Sequence, residues 1–116
     1  MSNKGIDGSI LNGTWKLEYF ETPEGVRFTH FSDILLFAYP YYSDFHAEFG
    51  LTNLTFSHVG MVKVSGNNIT FQVQLSTEPS YINLTAVGTY SIGDGFLEII
   101  MERGNTPGKW AYRKLT

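Results

Sequence analysis

The feature that most constrains this chain is a two-residue rhythm of apolar and polar side chains, interrupted by turn residues roughly every ten positions. The cleanest run is Ile69 to Ser76, where Ile69, Phe71, Val73 and Leu75 alternate with Thr70, Gln72 and Gln74. Successive side chains on a strand point to opposite faces, so such a run offers one face to a core and the other to water. The same rhythm runs through Gly13, Trp15, Leu17 and Tyr19, and again through Leu84, Ala86, Gly88, Tyr90 and Ile92. No stretch keeps a helical period.

Strands are predicted over residues 11–21, 34–39, 45–49, 58–65, 69–76, 82–92, 96–102 and 109–115. Between them lie turn chemistries: Pro23-Glu24-Gly25, Pro40 to Asp44, Gly66-Asn67-Asn68, Glu78-Pro79-Ser80 and Gly93-Asp94-Gly95. Val26 to Phe31 reads either as a short strand or as a lid-like loop, Gly50 to Ser57 as a connector carrying Leu51, Leu54 and Phe56, and Arg103 to Gly108 as a longer loop. In the third strand the apolar set Phe45, Ala47 and Phe49 is expected to face in. In the fourth the inward set is His58, Gly60, Val62 and Val64, opposite Lys63, and in the seventh it is Leu97, Ile99 and Met101. About eight short strands joined by hairpins make a sandwich or a barrel. The predicted fold is all-β, an eight-stranded antiparallel up-and-down barrel, because closure removes the edges that so apolar a chain must otherwise protect. A sandwich satisfies the alternation equally.

The 116 residues suit a lead-in over 1–10 and a single barrel domain over 11–116. With no Cys there is no disulfide and no thiolate metal site, and a net charge of -3 gives no basic footprint, so no nucleic-acid partner is expected. No apolar run approaches a membrane span and the first residues lack the apolar stretch of a leader, so the expectation is a soluble cytoplasmic protein without a membrane partner. Asn-x-Thr triplets at Asn12, Asn53, Asn68 and Asn83 read as chance in a Thr-rich β chain. Tyr39, Tyr41 and Tyr42 around Pro40 form an aromatic turn, a candidate homodimer contact or rim.

Gly13-Thr14-Trp15 on the first strand, with Arg113 on the last, is where the chain resembles the lipocalin-like barrels of the calycin superfamily. Further pieces, Ile34 to Phe49, Val59-Gly60-Met61 and Tyr112-Arg113, are similar to the layout of the small bacterial lipocalin-like domains. The resemblance implies a tube closed at one end by Trp15, with Arg113 laid across its indole as a cation over an aromatic face. Fatty-acid-binding proteins also open with Gly-Thr-Trp-Lys-Leu, but they insert two helices where Glu18 to Phe31 is short and broken by Pro and Gly.

The barrel reading makes the interior the candidate site for a hydrophobic or aromatic small molecule. The proposed walls are Tyr19, Phe37, Phe71, Val73, Leu84, Tyr90, Ile99 and Tyr112, apolar surface with a few hydroxyls to orient a ligand. His46 and Glu48 share a face and form an acid–base pair if that face is the lumen, but the apolar neighbours of strand three favour an outward face for them. With Tyr90 they are the catalytic candidates. His30 and Arg27 sit where a lid would meet a polar ligand group. His30, His46 and His58 lack the spacing of a metal site, and no cofactor fingerprint occurs, so neither metal nor cofactor is expected. The residues leave three functions open. One is a carrier. A second is a cofactor-free cyclase or isomerase of natural-product biosynthesis, which family resemblance allows and which would work by positioning its substrate. The third is a structural barrel filled by its own side chains.

Overall fold

Positive-φ residues set the tightest turns. Asp94 and Gly95 (φ 38° and 81°) close the hairpin between β7 (Thr85–Gly93) and β8 (Phe96–Arg103), as a two-residue turn with both centres left-handed requires. The computed structural model describes residues 8–48, 55–103 and 107–116. Residues 1–7 of the expected lead-in, Phe49, Leu51, Asn53 and Leu54, and the centre of the loop after Arg103 lie outside the described residues. The remaining strands are β1 (Gly13–Glu21), β2 (Arg27–Phe28), β3 (Phe31–Ala38), β4 (Tyr41–Glu48), β5 (Thr55–Ser65), β6 (Asn68–Ser76) and β9 (Gly108–Lys114).

The strand order is β2-β1-β3-β4-β5-β6-β7-β8-β9, every pair is antiparallel, and β1 also pairs with β9. The sheet is thereby a closed up-and-down barrel of eight long strands, lipocalin-like in architecture, with the two-residue β2 added at one rim. Closure excludes the sandwich. The ambiguous stretch from Val26 contributes β2 and the start of β3. No helix among the described residues is long and apolar enough to cross a membrane.

Half of the interior is filled. Trp15, Leu17, Leu35, Phe37, Ile69 and Leu97 are buried together near the start of β1. The end of the expected lead-in and Leu11, expected to open the first strand, wind into a 3-10 turn, Gly8–Leu11, in which Leu11 is fully buried and its carbonyl accepts the Trp15 indole N–H at 2.8 Å. The cation over Trp15 is not the expected Arg113. Trp15 lies opposite Lys114, whose Nζ is 5.6 Å from the ring, while Arg113 lies opposite Lys16. Alternation therefore turns Arg113 outward, to Glu18 at 3.3 Å and to the face of Phe96 at 5.2 Å.

Bulges correct two further facings. Between Leu17 and Tyr19 the pairing with β9 shifts by one residue, so inward facing passes from Trp15 and Leu17 to Phe20. Tyr19 turns outward, beneath the Arg27 guanidinium at 3.8 Å. Between Val59 and Gly60 the pairing with β6 shifts likewise, so Val73 faces in while Leu75, expected inward, is 65% exposed. One extra residue in a strand inverts every facing beyond it. Gly60 is required at this bulge, since a Cβ there would collide with the Gln72 carbonyl oxygen. Gly60→Ala is expected to destabilise the barrel by about 3 kcal/mol in urea denaturation; an unchanged midpoint would show that the strands can part there freely.

Candidate functional site

The unfilled half of the interior is a cavity of about 220 Å³, on the side where β1 ends and β3 begins. Its walls are mostly apolar: Phe20 and Phe31, Phe71 and Val73 of β6, Leu84 and Ala86, Ile99 and Met101 of β8, and Trp110 of β9. One side is polar, and it is built by a single hairpin register. The turn at Tyr39–Pro40 places Ala38 opposite Tyr41 and Phe37 opposite Tyr42. Phe37 is buried, so Tyr42 must be buried too, and the even residues of β4 follow it inward. Asp33 then faces His46, Leu35 faces Asp44, and across β5 Asp44 faces His58 while His46 faces Phe56.

This overturns the expected outward facing of His46 and Glu48 and the inward facing of Phe45. Phe45 is 52% exposed, whereas the His46 side chain is 2% exposed and, like Glu48, lines the cavity. The stretch that reads as turn up to Asp44 is already strand, and its register decides which way the residues after it face.

The polar groups form two sets. In the first, the Tyr112 hydroxyl donates to Asp33 Oδ1 at 3.1 Å, and His46 places Nδ1 on Asp33 Oδ2 at 2.6 Å and Nε2 on Glu48 Oε2 at 2.9 Å. The arrangement is complete when both ring nitrogens donate. In the second, His58 Nε2 lies 3.7 Å from Asp44 Oδ2, and the buried atoms Asp44 Oδ1 and His58 Nδ1 have no hydrogen-bond partner among the described residues. The Phe56 ring lies between the two imidazoles, 4.8 Å from His46 at 19° and 5.0 Å from His58 at 22°.

Burial is the largest influence on the ionisation of Asp33, Asp44, His58, Tyr112 and Tyr42. It pushes Asp33 up to about 6 from its ordinary 3.8, against the lowering effect of hydrogen bonds from Asp44 and Tyr112. Asp44 rises well above the ordinary range through burial, then through the charge of Asp33 and the proton it shares with it. Burial lowers His58, with Asp44 opposing and His46 assisting. Tyr112 is raised by burial and by both aspartates, and Tyr42 by burial and Asp44. Burial thus favours the neutral form of both members of the second set. Among the described residues no three His, Asp or Glu side chains are grouped to hold a metal ion.

Of the walls expected from the sequence, Phe71, Val73, Leu84, Ile99 and Tyr112 line the cavity. Phe37 is buried in the filled half, Tyr90 packs against that core, and Tyr19 lies outside the barrel for the bulge reason given above. Arg27 is held by Glu21 at 3.0 Å and His30 is exposed with its ring against Phe31, so neither lines the cavity. Sequence reasoning passed over Asp33, Asp44, Phe56 and Trp110. The signals were present as period-two series, Phe31-Asp33-Leu35-Phe37 and Phe56-His58-Gly60-Val62, which begin before the boundaries assigned to those strands.

No protein-family model matches the chain, and no curated protein matches it. Among solved structures, the chain is similar to the crystal structure of a point mutant of the fluorescent protein UnaG, with 13% identity, a TM-score of 0.49, and coverage of 90% of this chain and 96% of that one.

Asp33 holds its proton more tightly in the folded chain than in the unfolded one. Its stabilising contribution is therefore complete below pH 3.8 and is lost as the pH rises through about 6. Measured by urea denaturation, the stability of the protein relative to Asp33→Asn is expected to fall across that window by up to about 3 kcal/mol. A difference flat with pH would contradict the burial assigned to this carboxyl.

Proposed function

We propose that residues 11–116 act as one domain that binds a compact, mostly apolar molecule in the barrel interior, the polar group of that molecule meeting Asp44 and His58. The observation that carries this reading is a cavity with mostly apolar walls and one polar side, on which Asp44 and His58 stand opposite each other with side chains 15% and 13% exposed. The buried atoms Asp44 Oδ1 and His58 Nδ1 have no partner among the described residues, at a cost of about 1–3 kcal/mol each, and such a cost is retained where a site needs a polar wall. Pockets for drug-sized molecules run from roughly 300 to 1,000 Å³, so about 220 Å³ suits something on the scale of one or two fused rings. Phe71, Val73, Leu84 and Ile99 are the proposed walls, with Tyr112 acting through Asp33.

Catalysis without a cofactor is the second reading, favoured by the convergence of titratable groups on one wall, which a passive carrier does not need. The cyclase and isomerase alternatives belong here. A cytoplasmic homodimer without a nucleic-acid partner is kept as a further proposal, supported by the exposed outer face around Tyr41, Val59 and Met61.

Titrating a small aromatic ketone such as 1-indanone is expected to change the fluorescence of Trp110 and to saturate. Ala86→Phe, which fills the cavity, is expected to weaken that binding at least about tenfold. Equal affinity in both proteins would remove the interior as the site. In sedimentation equilibrium, Tyr41→Glu is expected to give monomer where the unaltered chain dimerises; an unaltered chain that stays monomeric would end the homodimer proposal.

A further inference from the structure

We propose that the molecule held in the barrel interior carries a protonated amine at its end away from Asp44 and His58, and that Glu48 receives it among the rings of Phe20, Phe31 and Trp110. The proposal rests on the interior binding reading above and adds a charge to it. Glu48 lines the cavity with its side chain 20% exposed, against 2% for His46, and it stands directly opposite Phe31 of β3. Trp110 and Phe20, opposite each other on β9 and β1, line the same cavity with ring centroids 4.5 Å apart. Phe20 lies 6.1 Å from Phe31, and Phe31 and Trp110 lie 5.6 and 5.9 Å from the His46 ring, whose Nε2 meets Glu48 at 2.9 Å. Three aromatic rings and one carboxylate thus share one end of the cavity.

The charge of the wall selects the charge of the ligand. Among the described residues no Lys or Arg lines the cavity, whereas Asp33, Asp44 and Glu48 all do. Arg27 is engaged by Glu21, Arg113 by Glu18, and Lys114 lies over Trp15. Fully ionised, the three carboxyls stand against two imidazoles, an excess of negative charge that a monocation balances. For Asp44 burial outweighs the lowering by His58 and His46, the mark of a wall short of countercharge. Aromatic faces attract a cation through their quadrupole, and they also pack on the apolar skeleton that carries it. Glu48 Oε2 already accepts from His46, yet its charge still acts on a cation beside it. A ligand bearing a carboxylate would meet like charge at the same place.

Spacing sets the length of the molecule. Glu48 follows Asp44 by four residues on the cavity face of β4, a rise of about 13 Å. Polar contacts of about 3 Å at either end leave about 7 Å between the two polar atoms of the ligand. A fused two-ring skeleton with a carbonyl at one end and an aminomethyl group at the other has that span, and it suits the volume of the cavity.

The test is a titration of the full chain, read by Trp110 fluorescence, with three 1-indanones that differ only in the group on the far side of the aromatic ring: aminomethyl, hydroxymethyl or carboxylate. The amine is expected to bind at least about tenfold more tightly than the alcohol, and the carboxylate more weakly than the alcohol. Ala86→Phe should weaken the amine as it weakens 1-indanone. Glu48→Gln should bring the ratio of amine to alcohol affinity down to about two or less. Phe31→Leu reads the same ratio through the cation–aromatic contact if the glutamine variant does not fold. An amine that binds no more tightly than the alcohol or the carboxylate, while 1-indanone itself binds, overturns this inference and leaves the interior reading intact. Amine binding that Ala86→Phe leaves unchanged puts the cation outside the barrel, and a ratio that Glu48→Gln leaves unchanged removes Glu48 as its partner; either result overturns the inference. No saturable signal from any of the compounds, 1-indanone included, overturns both readings.

Discussion

The hydrogen bond between His46 and Asp33, 2.6 Å long and shielded from solvent, is the contact on which the functional half of this barrel depends. Neither group tolerates the interior alone, since a buried polar or charged side chain without a partner is costly. Together they lock β3 against β4, and Tyr112 ties the same cluster to β9. A slip of one residue in that hairpin would expose both side chains and bury Phe45 in their place. The register that satisfies Asp33 and His46 also carries Asp44 across to His58. The stabilising contact and the polar wall of the cavity are therefore consequences of one alignment.

The barrel divides its interior between packing and site. At one end Trp15, its hydrogen bond to the Leu11 carbonyl and the buried aliphatic side chains of five strands leave little space. At the other end space is kept, and the side chains that border it include three carboxylates and two imidazoles. Such a wall gives up the burial energy that aliphatic residues would supply at the same positions. Proteins retain conflicts of this kind where a site needs them. Phe56 reconciles the two demands, because its faces supply apolar contact to both imidazoles while its own edge remains part of the wall.

Much of the architecture was legible in the residues. Alternation in Ile69 to Val73 and in Leu84 to Ile92, with turns such as Asp94-Gly95, was enough for an eight-stranded antiparallel closure, because those signals are local. The site was not local. Asp44 looks like turn chemistry beside Pro40, and Phe45 with Phe49 looks like the core side of a strand; only the pairing of Phe37 with Tyr42 decides otherwise. Asp33 stood just ahead of an apolar run whose start masked its phase. Tyr19 and Leu75 failed for another reason: a bulge is set by the partner strand, and nothing in the bulged strand's own rhythm marks it. The exchange of Lys114 for Arg113 over Trp15 is a shift of a single position, which a resemblance without a register does not resolve.

The account stands on burial and the neighbouring Asp33 holding the Asp44 carboxyl well above the ordinary carboxylate range. Infrared spectroscopy of protein with isotope-labelled aspartate carboxyls reads this directly. Just above the pH range in which ordinary aspartates ionise, the account predicts a protonated carboxylic-acid carbonyl band that disappears in Asp44→Asn. A spectrum with carboxylate bands alone, unchanged in that region by the substitution, would contradict it.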